Sequence, residues 1–291
     1  MRGPRPEAAA GGLLLVDKPA GLTSHDVVAV ARRALRERRV GHGGTLDPFA
    51  TGLLVLLVGR ATRLLPYLSG EPKVYAATIR FGSETTTDDL SGEPTVEAPR
   101  PTLAAVREAL PALTGALLQV PPAYSAKKVA GERAYDAARR GAPLALPPVP
   151  VVVHGWELGE LRDDELAVTV TCSGGTYVRA LARDLGRAAG SAAHLTRLRR
   201  LRSGPFDVGD ALPLDALERG EAELRPPLDA LGTLPVDALD ASAVQRLLRG
   251  IPVPASAAGS WGALVDESRA LVAVAERVGD AWQPRVVLRD A

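Results

Sequence analysis

Residues 73–81 (KVYAATIRF) set Tyr75, Ala77, Ile79 and Phe81 in alternation with Val74, Ala76, Thr78 and Arg80. A period of two fits a half-buried β-strand and not a helix. Residues 165–172 (ELAVTVTC) alternate in the same way, with Cys172 in phase with Leu166, Val168 and Val170 as a small buried hydrophobe. Strands of this kind need a sheet, and helical patterns are interspersed with them. Val27, Val28, Ala31, Ala34 and Leu35 recur at helical spacing behind a capping box of Thr23 and Asp26, which predicts an amphipathic helix to about Arg39. Gly41 then opens a loop, and His42 between glycines is expected to be exposed. Leu13–Val16 reads as a strand, whereas Leu53–Val58 fits either a buried strand or a buried helical turn. Residues 82–101 read as a loop, 102–114 as a helix, 119–150 as an excursion between proline clusters, and Tyr177 to Ala189 as a helix. The mixture implies an α/β (α+β) fold built on a mixed sheet.

With 291 residues the chain has room for about two domains at roughly 150 residues each. Residues 1–12 read as a disordered tail, 13–233 as the main domain and 234–291 as a small β-rich domain, with the acidic, proline-bearing stretch 207–235 as the boundary. Formal net charge is only +1, which by itself argues against a nucleic-acid partner. The sum conceals a separation: residues 185–206 hold five arginines (187, 197, 199, 200 and 202) and no acid, while 207–240 hold nine acids and two arginines. Five more arginines cluster at 32–39 against Glu37. Both runs flank the motif-rich segments and are expected to form a phosphate-contacting surface.

The single cysteine excludes intramolecular disulfides and cysteine-based metal sites, and His25, His42, His154 and His194 show no metal-ligand spacing. Residues 1–12 do not read as a secretory leader, and no apolar run approaches the 18 or so residues of a membrane span. These features predict a cytoplasmic chain without metal or cofactor.

The segment with the most chemistry per residue is Gly41–Leu54 (GHGGTLDPFATGLL). Asp47 precedes a proline, which biases it toward extended backbone and presents its carboxylate on a turn. Such a carboxylate can serve as nucleophile or base, or simply cap its own turn; the glycine density points to close approach by another group. Residues 173–179 (SGGTYVR) make a strand–turn–helix junction without the spacing of a Rossmann or P-loop site. Arg179 lies in the first helical turn, where a cation opposes the helix dipole, so a carboxylate partner is expected elsewhere.

Together these segments resemble the bacterial tRNA pseudouridine-55 synthases, relatives of dyskerin. Asp17–Ser24 (DKPAGLTS) is similar to the family's KPxGxxS motif, and Gly44–Leu54 (GTLDPFATGLL) to its GTLDPxATGxL motif. Lys73-Val74-Tyr75 followed by Gly82, Thr85, Thr87, Asp88 and Gly92 fits the KxY segment, and Ser173–Leu181 the motif that carries the arginine. Ala193-His194-Leu195, Leu198-Arg199-Arg200 and Gly204-Pro205-Phe206 fit the closing segment. Gly43 stands where Thr or Ala is more usual, and Phe49 where Leu is.

The resemblance implies a pseudouridine synthase fold: a mixed, largely antiparallel sheet with a central cleft and a small PUA-like C-terminal domain. It implies isomerisation of one uridine in the tRNA T loop, with no cofactor, no metal and no protein partner, by a monomer. Asp47 would be the essential carboxylate, attacking C1′ or the base or removing a ribose proton. Arg179 would pair with it, and Tyr75 would stack on the base and help remove the C5 proton. His42 would fill space left by the flipped nucleotide, Tyr177 and Leu198 would line the pocket, Lys18 would buttress the Asp47 loop, and Lys127 would reach the T arm. A noncatalytic RNA-binding or tRNA-folding protein would keep the arginine surfaces and need neither Asp47 nor Arg179.

Overall fold

A computed structural model describes residues 11–288 apart from 126, 130 and 143, so the expected tail lies outside the described residues as far as residue 10. In chain order the elements are β1 (Gly12–Lys18), α1 (Ser24–Leu35), β2 (Val40–His42), β3 (Thr51–Val58), β4 (Lys73–Phe81), β5 (Ser83–Thr85), β6 (Pro94–Glu97), α2 (Leu103–Ala109) and β7 (Gly115–Gln119). There follow β8 (Lys128–Val129), β9 (Glu132–Arg133), α3 (Ala134–Arg139), β10 (Val149–Arg162), β11 (Glu165–Cys172), α4 (Val178–Ala188), β12 (Ala193–Ser203) and β13 (Phe206–Asp207). The chain ends with β14 (Leu212–Pro213), α5 (Leu214–Glu218), β15 (Val236–Ala238), α6 (Ala241–Leu248), β16 (Val253–Pro254), β17 (Trp261–Val265), β18 (Leu271–Val278) and β19 (Ala281–Val287). Two compact units result: one from the residues up to Pro48, Gly52–Gly70 and the chain from Pro205 on, the other from Phe49–Thr51 and Glu71–Gly204.

The first unit is organised by the antiparallel pair β1–β3, in register from Gly12↔Val58 to Lys18↔Gly52. One face of the pair (Leu14, Val16, Leu54, Leu56, Val58) packs on Val27, Val28, Val30 and Ala31 of α1 and on Leu217 of α5. The other face (Leu13, Leu15, Leu53, Val55, Leu57) packs on Leu64, Ala230 and Leu231, and on Val265, Leu271, Val274 and Leu288 from the C-terminal sheet. A strand dry on both faces has no position for a polar residue, which is why Leu13–Val16 and Leu53–Val58 are unbroken apolar runs. Each such side chain contributes roughly 1.5–3 kcal/mol on burial.

Helix α1 begins as expected: the Asp26 amide donates to Thr23 Oγ1 (3.1 Å) and the Thr23 amide to Asp26 Oδ2 (2.8 Å). It ends at Leu35, short of the expected Arg39, because Arg36 turns left-handed (φ 54°) and Val40–His42 are drawn into antiparallel pairing with β3. Gly41 and His42 are therefore strand residues and not the start of a loop, and His42 is half-buried where exposure was expected. All five arginines at 32–39 are exposed.

In the second unit β12, β4, β11, β10 and β7 lie side by side in that order, all antiparallel. The alternation of β4 and β11 is realised, with Tyr75, Ala77, Ile79 and Phe81 buried on one face. Cys172 is fully buried, and burial pushes its thiol up to about 11. Helix α4 lies close on β12: a Cβ on Gly186 would stand 2.6 Å from the Ala193 amide nitrogen, an approach that only glycine permits. Residues 82–101 are not a plain loop, since β5 and β6 form a hairpin in register Ser83↔Glu97. Its buried residues are Glu84 and Thr85, so no apolar alternation marked it.

The C-terminal strands form a five-stranded sheet in the order β15-β17-β18-β19-β16, parallel only between β15 and β17. Among the described residues no helix is long and apolar enough to cross a membrane. The sheet is closed around Asp237, whose Oδ2 accepts from the fully buried Trp282 Nε1 (2.7 Å) and from the amides of Ser256 (2.8 Å) and Ala257 (3.0 Å). Burial alone would raise this carboxyl, but the Trp282, Ala257 and Ser256 donors outweigh it and hold it below the ordinary carboxylate range. Asp237→Asn is expected to lower unfolding free energy at pH 7 by about 1–2 kcal/mol in denaturant titrations followed by tryptophan fluorescence. Because the folded carboxyl is depressed, the difference from wild type should close as pH falls below about 4, where Asp237 takes up its proton. A gap that persists unchanged at lower pH would contradict the assigned cause.

Candidate active site

Within the first unit, the backbone around Asp47 is fastened on both sides. Ser24, buried at the first position of α1, accepts from the Leu46 amide through Oγ (2.8 Å) and donates to the Leu46 carbonyl (3.2 Å). On the other side the Pro48 carbonyl accepts from the Gly21 amide (2.8 Å) and from Lys18 Nζ (3.3 Å). Lys18 is fully buried, and its ammonium also donates to the carbonyls of Leu22 (2.7 Å) and Pro19 (2.9 Å). The DKPAGLTS segment is thus the clamp for the TLDP turn, and Asp47 itself is half-buried between its clamped neighbours. His42 stands on β2, edge-on to His25 with ring centroids 5.5 Å apart. At Gly43 a Cβ would lie 2.0 Å from Leu68 Cδ2, so here a leucine side chain occupies the space that a larger residue at 43 would need.

The second unit holds Tyr75, Tyr177, Arg179, Leu198 and Lys127. Tyr75 is buried, paired across β4 with Val170 on one side and Arg200 on the other, and Leu198 pairs with Ala77 one step along the same face. Lys73 shares that face; burial above all, then the nearby Arg200, pulls its ammonium below the usual lysine range, with Glu71 opposing. Arg200 is only 1% exposed, so it is not part of the arginine surface expected for 185–206. Arg200 is buried because it alternates in phase with the buried Leu198, and after the bulge at Arg200/Arg202 Arg202 is exposed instead of continuing that buried phase. Arg187 is also committed, gripping the buried Glu84 through Nε (2.6 Å) and Nη2 (2.7 Å).

Tyr177 is the N-cap residue of α4 and makes no side-chain capping bond; the buried Gln119 holds its backbone, accepting from the Tyr177 amide (2.8 Å) and donating to its carbonyl (3.1 Å). Arg179, 4% exposed, donates to the Thr87 carbonyl (2.8 Å) and the Tyr124 carbonyl (3.0 Å), and stands 3.7 Å from Asp89 Oδ2. Asp89, a residue not singled out from the sequence, is thus one carboxylate beside this guanidinium. Asp89 is built into its turn by Thr87 Oγ1 (2.8 Å) and the Ser91 amide (2.9 Å), both donating to Oδ1. Its neighbour Asp88 sits at φ 58° and faces Arg183; burial pushes its carboxyl up, against the opposing pull of Arg183 and Arg179. Lys127 is half-buried where the excursion turns, its carbonyl accepting from the Ala134 amide (2.8 Å). Among the described residues no group of three His, Cys, Asp or Glu side chains is placed to hold a metal ion.

The chain is similar in fold to the protein solved in a Cbf5-Nop10-Gar1 complex, with a TM-score of 0.74 at 25% identity over 98% of this chain and 88% of that one. Residues 32–178 match the TruB family pseudouridylate synthase N-terminal domain, and residues 179–238 match the tRNA pseudouridylate synthase B C-terminal domain. The chain is 47% identical over 290 residues to tRNA pseudouridine synthase B of Thermobifida fusca, covering 96% of this chain and 98% of that protein. It is 46% identical over 290 residues to tRNA pseudouridine synthase B of Gloeobacter violaceus, covering 95% and 98%. This chain belongs to the TruB family of pseudouridylate synthases.

If the clamp is what holds the TLDP turn, Lys18→Met should speed amide hydrogen exchange at Gly21 by at least about tenfold, with a stability loss of roughly 1–3 kcal/mol from the carbonyls left unpaired. Unchanged protection at Gly21 would show that the ammonium contributes nothing to the turn.

Proposed function

We propose that this chain converts the uridine at position 55, in the T loop of tRNA, to pseudouridine. The reading rests on one observation above the rest: the backbone groups on both sides of Asp47 are spent on fastening it, by Ser24 before it and by Gly21 and Lys18 after it. A turn that only caps itself needs no such clamp; a carboxylate that must meet a substrate atom within a fraction of an ångström does. The similarity to synthases of this name over nearly the whole chain supports the same assignment.

The reaction breaks the N1–C1′ bond, turns the uracil, and joins C5 to C1′, so no atom is gained or lost overall. Asp47 is the essential carboxylate, and Arg179 is the cation that orients it. Tyr75 stacks on the uracil and assists loss of the C5 proton, directly or through water. The target base lies in a folded loop and must be flipped out at a cost of a few kcal/mol, with His42 filling the vacated space and Tyr177 and Leu198 lining the pocket. Phosphates are met by Lys127 and by the exposed arginines of the 32–39 cluster together with Arg197 and Arg202. The protein works as a monomer in the cytoplasm, without a protein partner, and residues 234–291 act as an appended RNA-binding domain.

Release of tritium from C5-labelled uridine in a T-arm RNA tests this directly. Wild type should release it, and Asp47→Asn should be slower by at least about a thousandfold while still binding the RNA. A folded wild type that binds T-arm RNA without release would favour a binding protein over a synthase. Full release by Asp47→Asn would remove that residue from the chemistry.

A further inference from the structure

Arg179 and Arg183 stand one turn apart on α4, and each guanidinium joins the same two remote segments. Arg179 reaches from the Thr87 carbonyl and Asp89 to the Tyr124 carbonyl. Arg183 repeats the span: Nη1 donates to Asp88 Oδ2 (2.8 Å), Nη2 to the Val120 carbonyl (2.9 Å) and Nε to Asp184 Oδ1 (2.9 Å). Asp88 in turn is tied to the sheet, since its carbonyl accepts from the Leu195 amide (3.1 Å). The two arginines are thus rungs between the 87–89 turn and the 120–124 segment, with Gln119 fastening the latter to the start of α4 as well.

Arg183 is 9% exposed and Asp88 is 7% exposed. A buried ion pair of this kind contributes little net stability, because desolvation of both charges offsets their attraction. What it supplies is geometry. A guanidinium presents its donors in a fixed planar fork, so one side chain can set the distance between a carboxylate and a carbonyl on different segments; an ammonium is a point charge and cannot. Arg179 also donates to backbone carbonyls on those same segments, so its direction depends on where the segments are held.

We propose that Arg183 is a positioning residue for the isomerisation: by spanning Asp88 and Val120 it fixes the two segments whose carbonyls orient Arg179. The inference rests on the reading of Arg179 as the partner of Asp47. Loss of the span leaves RNA contacts in place and misdirects Arg179, so the effect belongs to the chemical step and not to binding.

The test is single-turnover tritium release from C5-labelled T-arm RNA at saturating enzyme, alongside filter-binding affinity for the same RNA and thermal melting. The variants are Arg183→Lys, Arg183→Met, the double variant Asp88→Asn/Arg183→Met, and Arg179→Lys. Arg183→Lys should lose about tenfold in rate and Arg183→Met about a hundredfold, with RNA affinity held within about threefold. The double variant has no uncompensated buried carboxylate, so it should melt with wild type and remain as slow as Arg183→Met. Wild-type rate in a double variant that melts normally would overturn the proposal, as would a loss of affinity equal to the loss of rate. Full rate in Arg179→Lys would overturn the role of Arg179, and the positioning role with it. An inactive wild type that binds the RNA would instead overturn the synthase reading.

Discussion

The β1–β3 pair is the constraint on which the first unit depends. Both of its faces are buried, one under α1 and α5, the other under Ala230, Leu231 and the C-terminal sheet. Register is therefore fixed absolutely, since a slip of one residue would exchange two sets of apolar side chains shaped for different partners. That register sets Lys18, the last residue of β1, opposite Gly52 at the start of β3. The chain between helix α1 and β3 must then return past the Lys18 ammonium, and the Pro48 carbonyl meets it there. Position of the Asp47 turn is thus inherited from hydrophobic packing several residues away, and only its final adjustment is left to hydrogen bonds.

The second unit solves the corresponding problem with charge. Helix α4 buries Arg179 and Arg183 on the same stretch as Val178, Leu181, Ala182 and Leu185. Apolar side chains could fill that volume with no desolvation cost, and on stability alone they would be preferred. Guanidinium groups are used because backbone carbonyls at Thr87, Val120 and Tyr124 have to be held at defined distances, and only a donor can hold a carbonyl. The carboxylates of Asp88 and Asp89 then make the buried cations tolerable.

Strand and helix content was legible wherever one face alone is buried. The alternation of 73–81 marked β4, and Thr23 with Asp26 marked the start of α1. Leu53–Val58 was ambiguous for a physical reason: burial on both sides erases the period that separates strand from helix. The end of α1 was missed because Arg36–Arg39 carry good helix formers, and what stops the helix is the pairing of Val40–His42 with a strand later in the chain. The β5–β6 hairpin carries no strand signal because its interior positions are Glu84 and Thr85, polar residues whose burial is compensated by Arg187 and by the Asp89 carbonyl. Asp47 and Arg179 draw notice from their place in the sequence, and the roles proposed for them and for Tyr75 come from motif resemblance. Asp89, Arg183 and Gln119 carry no such signal, because a side chain that holds another in place has no spacing rule of its own; Asp88 enters only as a position of the KxY segment, with no role attached.

Net charge shows the same division between what is summed and what is placed. Of the five arginines at 185–206, Arg200 alone is buried; Arg187, Arg197 and Arg202 are exposed, Arg187 while paired with Glu84, and Arg199 is half-buried, 3.4 Å from Thr51 Oγ1. The run that reads as a phosphate surface is thus partly committed within the protein, through Arg187 and Arg200. The cluster at 32–39 is the opposite case: every arginine is exposed, and one of the five, Arg39, lies near Glu37, at 3.5 Å. Charge that is already paired inside the protein releases no counterions when RNA arrives, whereas exposed charge does. The salt dependence of RNA binding should therefore follow the exposed arginines of α1 and its C-terminal turn more closely than the arginine-rich run that dominates the sequence.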